Sequence, residues 1–321
     1  MISGHWGLSL NILSIISVSL CASLIFTSAA VLLISHSLQR FHANAKLGIL
    51  WSIVVLPWPI SILSVALLTF PEFSQTREIW LSSFAHWHHI YNFEILSWHG
   101  ASTWIFSLIF ICICITKIHN AFKASSKLSQ LDFFGENTSS KQGLIVIESA
   151  QCQAFTSGLV RPRSYITSGL RDQLTPQEAS VVAAHELAHA STHDPLKKYV
   201  VSLFAAFFPK SVAQQINDAF SLALEQIADQ SVLRTVNDET IVSNTLLKVS
   251  KLNSQYVGEL PVSTCHFSTH PLTLRIRYLL SDNKGRSFPI LLFCSFAALT
   301  TVLSTLSVDL LHHALEQLFT H

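Results

Sequence analysis

The hydrophobic and polar positions divide the chain into long apolar runs near both ends and a more polar stretch between them. A helix of about 20 residues crosses the roughly 30 Å hydrocarbon layer of a bilayer, so apolar runs of this kind predict membrane-spanning helices. The runs cover residues 8–35, 47–70, 100–116 and 287–307. We interpret them as four spans, with Pro57 and Pro59 kinking the second. The alternative is that they are buried core helices.

A cleaved signal peptide is a competing interpretation of the first run. The residues before it contain no Lys or Arg, the run is long for the apolar region of a signal peptide, and further spans follow. We therefore predict that the first run is a transmembrane helix.

The segment between the third and fourth runs changes character along its length. It begins with a polar stretch at 123–141 that we interpret as a linker, continues with β-like runs at 144–148 and 164–167, and turns helical from Leu174. We predict a mostly α fold with an α+β domain inserted between the third and fourth spans. Its parts are 1–118 with three spans and an outer loop at 71–99, 119–285 with the domain, and 286–321 with the fourth span and a short tail.

Composition supports a membrane protein. Half of the residues (50%) are hydrophobic and only 12% are charged. This balance is unusual for a soluble domain, and membrane lipid is therefore an expected partner. The net charge of +1 supplies no basic field for phosphate binding, so nucleic acid is excluded as a partner. The six cysteines are scattered and suggest neither a disulfide framework nor a C-x-x-C metal site.

Basic residues near the span ends predict the orientation. Two lie between the first and second runs and three follow the third, whereas the loop 71–99 contains one arginine against three glutamates. These basic residues are Arg40, Lys46, Lys117, Lys123 and Lys127. Both termini are predicted outside, and the inserted domain is predicted in the cytoplasm.

Residues 175–178 mark the start of a helix. Thr175 supplies an N-cap, Pro176 occupies the first helical position, and Glu178 stands three residues after the cap. We predict a helix from 176 to about 192.

The same helix carries the pattern His-Glu-x-x-His. His185 and His189 are four residues apart, so both imidazoles project from one face and can bind a single tetrahedral Zn²⁺. Glu186 is rotated by about 100° from His185, which places its carboxylate beside the open position of the metal, where a general base is needed. The alternative is coincidence, which is expected in roughly 3 of 100 chains with this content of His and Glu.

A second predicted helix, around 221–229, offers the third protein ligand that such a site needs. Glu225 can complete a two-histidine, one-glutamate site. Asp229, four residues on, can accept the free ring N–H of a liganding histidine. The alternative is that both are solvated carboxylates on an exposed face, which the apolar neighbours on this helix disfavour.

These motifs resemble the cytoplasmic peptidase domain of the BlaR/MecR antirepressor family. The resemblance covers roughly residues 140–235, and the layout of four spans with a domain between the third and fourth also matches. The positions that carry it are 154–162 (Ala-Phe-Thr-Ser-Gly-Leu-Val-Arg-Pro), Tyr165-Ile166, Gly169-Leu170, 185–189, Asp194-Pro195, Glu225 and Asp229.

Two features are equally similar to the related HtpX and CAAX prenyl protease family. They are Glu225-x-x-x-Asp229 and Ser268-Thr269-His270-Pro271 with Arg275-Ile276. Both families are gluzincins, so the resemblance implies a gluzincin-type zinc peptidase domain in a multi-pass protein of the bacterial inner or plasma membrane.

The resemblance implies one zinc ion per chain, held by His185, His189 and Glu225. Zinc would acidify a water molecule and polarise the scissile carbonyl, and Glu186 would pass the proton to the leaving amine.

Negative charge develops on the substrate during such a reaction and needs a hydrogen-bond donor. His270 or Arg275 can supply it; the alternative is that these residues close the domain onto the fourth span.

The implied substrates are proteins or peptides, in regulated repressor cleavage or in membrane protein quality control. BlaR-type receptors carry a large extracellular sensor after the last span, whereas this chain ends at His321, soon after the predicted fourth span. We expect sensing to depend on the outer loop or on a separate sensor or repressor partner. The loop contains histidines and tryptophans that we interpret as an interfacial anchor, with metal sensing as the alternative: Trp80, His86, Trp87, His88, His89, Trp98 and His99.

Two other classes of protein compete with an enzyme. One is a catalytically silent membrane scaffold or receptor of the same fold, but such proteins usually lose a ligand or the base, and all are present here. The other is a transporter, which is disfavoured because no inverted repeat is visible and the histidines fall at span ends. We therefore predict an integral-membrane zinc metalloendopeptidase.

Overall fold

The computed structural model describes residues 1–73, 90–135, 143–253, 265–266, 272–281 and 285–319, and these residues are mostly helical. The helices are α1 (His5–Ile34), α2 (Ala43–Val55), α3 (Pro57–Phe73), α4 (Trp98–Gly135), α5 (Ser168–Arg171), α6 (Pro176–Ser191), α7 (Asp194–Ala205), α8 (Lys210–Val236), α9 (Glu239–Asn253), α10 (Leu272–Leu279) and α11 (Ile290–Phe319). The strands are β1 (Ile2–Ser3), β2 (Asn92–Phe93), β3 (Ile145–Ile147), β4 (Ala154–Ser157), β5 (Arg163–Thr167) and β6 (Cys265–His266).

Three of the described helices are long and apolar enough to cross a membrane, namely α1, α4 over Trp98–Lys123 and α11 over Ile290–Leu315. The helices α2 and α3 make a fourth candidate if the pair is counted as one span, and they meet at an angle of 43°. Pro57 begins α3 and lacks the N–H that would continue the hydrogen bonding of α2, so the predicted kink is confirmed.

The helix α4 continues well beyond its apolar part. The interpretation of 123–141 as a linker is wrong for residues 123–135, which are helical. This stretch is polar, but 6 of its 13 residues are Ala, Lys, Leu or Gln, which all have high helix propensity. Polarity therefore identified where the chain becomes hydrophilic and not where the helix ends.

Hydroxyl groups join the candidate spanning helices to one another. Ser19 on α1 and Ser304 on α11 share a hydrogen bond of 2.8 Å, and Ser64 on α3 lies 3.0 Å from Thr305 on α11. Small polar residues allow helices to approach closely and satisfy each other where no water is available. These buried pairs hold α1, α3 and α11 together.

A four-stranded sheet packs against α6, with the strand order β3-β5-β4-β6. The strand β3 is parallel to β5, whereas β4 is antiparallel to both β5 and β6. β3 and β5 confirm the two β-like runs of the sequence, but β4 was not predicted. The histidine cluster of the outer loop at 86–89 and Trp80 lie outside the described residues.

Two hydrophobic clusters meet along α8. The first, here called the membrane-side cluster, joins α8 to α1, α2 and α7 through side chains such as Leu20, Leu50, Val201 and Phe220. The second, the domain cluster, joins α8 to the sheet, α6 and α9 and includes Val232. The helix α8 is therefore shared by the two parts of the molecule.

Candidate metal centre and active site

The predicted start of the histidine helix is confirmed at α6. Thr175 Oγ1 accepts the N–H of Glu178 at 3.3 Å, and Glu178 Oε2 accepts the N–H of Thr175 at 2.8 Å. The two hydrogen bonds together form a capping box. Lys248 Nζ binds the same carboxylate at 2.6 Å. Burial raises the pKa of Glu178, but these donors outweigh burial and bring the pKa below its ordinary value.

The helices α6 and α8 bring the three predicted metal ligands together. His185 Nε2 and His189 Nε2 are 3.1 Å apart. Glu225 Oε2 lies 3.2 Å from His185 Nε2, and Glu225 Oε1 lies 3.6 Å from His189 Nε2. All three side chains are buried. Among the described residues, they form the group of His, Cys, Asp and Glu side chains whose possible ligand atoms lie close enough together to hold one metal ion.

The spacing of these atoms fits zinc. Zn–N and Zn–O bonds of about 2.0–2.2 Å imply tetrahedral ligand atoms about 3.3–3.6 Å apart. The two imidazole nitrogens are 3.1 Å apart, and each lies 3.2 or 3.6 Å from one of the two carboxylate oxygens of Glu225, close to these values.

The charges of the site fit a dication as well. Glu186, Glu225 and Asp229 are buried carboxylates, and buried Arg275 supplies one positive charge beside them. When the carboxylates are ionised and the histidines neutral, two negative charges stay uncompensated. Burial of unbalanced charge is costly, and a divalent ion removes that imbalance.

Each histidine has a carboxylate at its second ring nitrogen. His185 Nδ1 lies 3.1 Å from Asp229 Oδ1, and His189 Nδ1 lies 2.8 Å from Asp194 Oδ2. A carboxylate at Nδ1 favours a proton there, which leaves the Nε2 lone pair available for a metal. Asp229 thus lies where its predicted supporting role requires it.

Asp194 is a site residue that sequence reasoning missed. It lies beyond the predicted end of the histidine helix at about 192: α6 ends at Ser191, and Asp194 begins α7, with Pro195 in the first turn. Burial raises the pKa of Asp194, yet His189 and Lys197, the latter at 2.8 Å, outweigh burial and lower the pKa. The available signal was its place among the positions that carry the family resemblance.

Glu186, the predicted base, has one tethered and one open oxygen. Its Oε2 accepts a hydrogen bond of 2.7 Å from Thr156 Oγ1, whereas Oε1 has no hydrogen-bond partner among the described residues. Thr156 Oγ1 also lies 2.8 Å from the backbone carbonyl of Glu186, but Ser164 Oγ donates to that carbonyl at 3.0 Å. We assign the single hydroxyl proton of Thr156 to the carboxylate, because an ionised carboxylate is the stronger acceptor. Burial raises the pKa of Glu186, as a base working near neutral pH needs.

Thr156 was also missed, because its contact with Glu186 depends on β4. It belongs to the 154–162 run that carries the family resemblance, and that run was the available signal.

Arg275 is buried and binds the two buried carboxylates of α8. Its Nε and Nη2 donate to Asp229 at 2.8 and 2.6 Å, and its Nη1 lies 3.2 Å from Glu225 Oε2. Burial raises the pKa of each carboxyl, but the guanidinium charge outweighs it, so the pKa of Asp229 is lowered and that of Glu225 is well below its usual range. His270, the other predicted oxyanion donor, lies outside the described residues.

Comparison with known protein families gives one match that includes the helices of the candidate site. A family model described as BlaR1 peptidase M56 matches residues 13–279, which is most of the chain and includes α6, α8 and α10. No curated protein matches the chain.

Proposed function

Because the chain belongs to the BlaR1 peptidase M56 family, we propose that it is an integral-membrane zinc metalloendopeptidase that hydrolyses peptide bonds in protein substrates. The family itself supports a metallopeptidase associated with a membrane. One observation supports the finer proposal: His185, His189 and Glu225 converge in a buried site beside Glu186, whose Oε1 is open.

The reaction depends on proton transfer by Glu186. A bound zinc ion would acidify a water molecule and polarise the scissile carbonyl. Glu186 accepts a proton from the attacking water on Oε1 and donates it to the leaving amide nitrogen, while Thr156 keeps Oε2 in place. Burial raises the pKa of Glu186, which makes its carboxylate a better acceptor for the proton of the attacking water.

The remaining residues hold and orient the ligands. His185, His189 and Glu225 would bind the ion, and Asp229 orients the ring of His185. Arg275 is assigned a positioning role, because its donors are directed at Asp229 and Glu225 and not at a substrate. The oxyanion role of His270 stays a prediction.

We place the peptidase domain, about 119–285, between the third and fourth spans and on the cytoplasmic side. Basic residues near the domain support this orientation. Lys117 Nζ, for example, binds Ser202 Oγ of α7 at 2.6 Å. An alkaline phosphatase fused after residue 321 should be active, and a green fluorescent protein fused there should be dark. The opposite pattern would reverse the orientation.

The proposed substrate is a cytoplasmic repressor or a misfolded membrane protein. The family match favours cleavage of a cytoplasmic repressor. The likeness to the HtpX and CAAX prenyl proteases in Glu225, Asp229 and Arg275 supports the same zinc chemistry acting on misfolded membrane proteins.

Expression of the chain beside its Glu186→Gln variant in the native host tests the function. Cytoplasmic and membrane proteomes should contain fragments that depend on the unchanged chain and disappear with the variant. Equal fragment patterns, with zinc bound to both proteins, would contradict the enzyme and favour a catalytically silent scaffold or receptor.

A further inference from the structure

We propose that Lys46 is a positioning residue for the metal centre, through which the membrane-side helix α2 sets the placement of α8 and α10. This inference rests on the proposed zinc site. Lys46 lies in the first turn of α2 and is only 3% exposed. Among the described residues, no carboxylate lies within ion-pair distance of it. A buried ammonium without a carboxylate is costly, so its contacts have to compensate that cost.

Those contacts bind Lys46 to α8 and α10. Its Nζ donates to Gln226 Oε1 at 2.8 Å and to Gln39 Oε1 at 3.3 Å. The same Nζ lies 5.0 Å from the ring centroid of Tyr278, within the range of a cation–π interaction. Hydrogen bonds with a charged donor are stronger than neutral ones. The contacts of Lys46 therefore bind α2 strongly to α8 and α10.

The neighbouring groups complete a partly buried polar junction. The hydroxyl of Tyr278 accepts the backbone N–H of Ala43 at 3.0 Å and the side chain of Gln230 at 3.2 Å. Gln226 Nε2 in turn donates to the carbonyl of Leu274 at 3.5 Å. The beginning of α2 thus contacts both of the helices that carry Glu225, Asp229 and Arg275.

The sequence positions connect this junction to the metal centre. On α8, Gln226 directly follows Glu225, and Gln230 directly follows Asp229. Two residues four apart share one helix face, so one face of α8 points at the histidines while the adjacent face points at α2. Fixing Gln226 and Gln230 therefore fixes the rotation of α8 about its axis.

The helix α10 is held in a similar way. Tyr278 stands three residues after Arg275, on the same face of α10. A displacement of α2 would move Gln226 and Tyr278 together, and with them the Glu225 carboxylate and the guanidinium that binds it. Lys46 touches no metal ligand, and it acts through Gln226.

Zinc affinity of the purified full-length protein in detergent tests this role, measured by competition with a chromophoric chelator. Lys46→Met should weaken zinc binding about tenfold, as loss of groups that support metal ligands usually does. Lys46→Arg keeps the charge and the donors and should restore most of the affinity. Lys117→Met is the matched control, because it removes another lysine of a spanning helix that binds a domain side chain, and its affinity should match that of the unchanged chain.

A lowered melting temperature with unchanged zinc affinity in Lys46→Met would mean that Lys46 is merely structural. If that variant does not accumulate, Tyr278→Phe provides the test, because it removes only the hydroxyl at the junction. It should weaken zinc binding about threefold. An unchanged zinc affinity in this variant would overturn the proposal. Failure of the zinc site itself is seen separately, as absence of zinc from the unchanged chain or full retention in His185→Ala, and would overturn both proposals.

Discussion

The two helices that carry the candidate site are held in place differently. The helix α6 begins at its own capping box and packs into the domain cluster. Thr156 and Ser164 of the sheet donate hydrogen bonds to its Glu186. The helix α8 contributes to both clusters and is bound to α2 through Gln226 and to α10 through Asp229. The base and the histidines thus depend on the domain, whereas the glutamate ligand also depends on the membrane-side helices.

This difference separates two kinds of effect. Changes to Glu186 or to its contacts with the sheet should alter the reaction rate and leave zinc binding intact. Changes around α8 should alter zinc binding first. A variant of one helix that gave the effect expected of the other would contradict this distinction.

The largest effect is expected for Glu186→Gln on α6. The loss of a general base should lower the peptidase rate by about 10²–10⁴-fold, measured on the substrates that the proteome comparison identifies. Zinc content should equal that of the unchanged chain, since Glu186 is not among the expected ligands. Loss of zinc in this variant would assign Glu186 to the metal.

The strongest test on α8 is Arg275→Met. Removing the guanidinium leaves Glu225 and Asp229 buried without their cation, which should destabilise the fold by about 3–5 kcal/mol. Zinc affinity should fall by about 10–100-fold, because the carboxylates lose their orientation. Chelator competition and thermal unfolding measure the two quantities. Zinc affinity that stayed unchanged would remove Arg275 from the positioning role.

Thr156→Val sharpens the assignment of α6. The valine removes a hydrogen bond to a charged carboxylate, worth about 1.5–3 kcal/mol, so we expect the rate to fall at least about tenfold. Thr156→Ser keeps the hydroxyl and is the matched control. Equal rates for the valine and serine variants would show that the hydroxyl does not matter.

Thr175→Ala should affect stability alone. Loss of an N-cap side chain costs about 1 kcal/mol, and the residue lies at the far end of α6 from the histidines. Thermal unfolding should reveal the loss, with zinc affinity unchanged. A drop in zinc affinity would mean that the helix start also determines the position of His185.

The smallest effect concerns pH. Because the pKa of Glu178 is lowered in the fold, its contribution to stability is fully present above the unfolded value of about 4.3 and is lost as pH falls through the lower folded pKa. Glu178→Gln should therefore flatten the melting temperature against pH in the acid range below about pH 5. A curve as steep as that of the unchanged chain would assign the dependence to other carboxylates.

The local signals of the sequence predicted α6 well. Thr175, Pro176 and Glu178 indicated where the helix begins, and the spacing of the two histidines indicated that both lie on one face. These features were predictable because each depends only on neighbours within one helix. The proline kink after α2 was predictable for the same reason.

Long-range contacts were not predictable. Thr156 is 30 residues from Glu186 in the sequence, and only the sheet brings its hydroxyl to that carboxylate. Asp194 is five residues after His189, but the two side chains meet only because the chain turns between α6 and α7. Lys46 was counted only as a charge near a span end, although the fold buries it against Gln226. The polar stretch at 123–135 was misinterpreted because polarity says nothing about helix propensity.

The most direct test of a zinc site built from α6 and α8 is the zinc stoichiometry of the purified full-length protein and of its Glu225→Ala variant. Glu186→Gln is the control, because it keeps the same three proposed ligands. We expect one zinc ion per chain in the unchanged protein and in Glu186→Gln, and loss of zinc in Glu225→Ala. Full stoichiometry in Glu225→Ala would contradict the two-helix site and require a different third ligand.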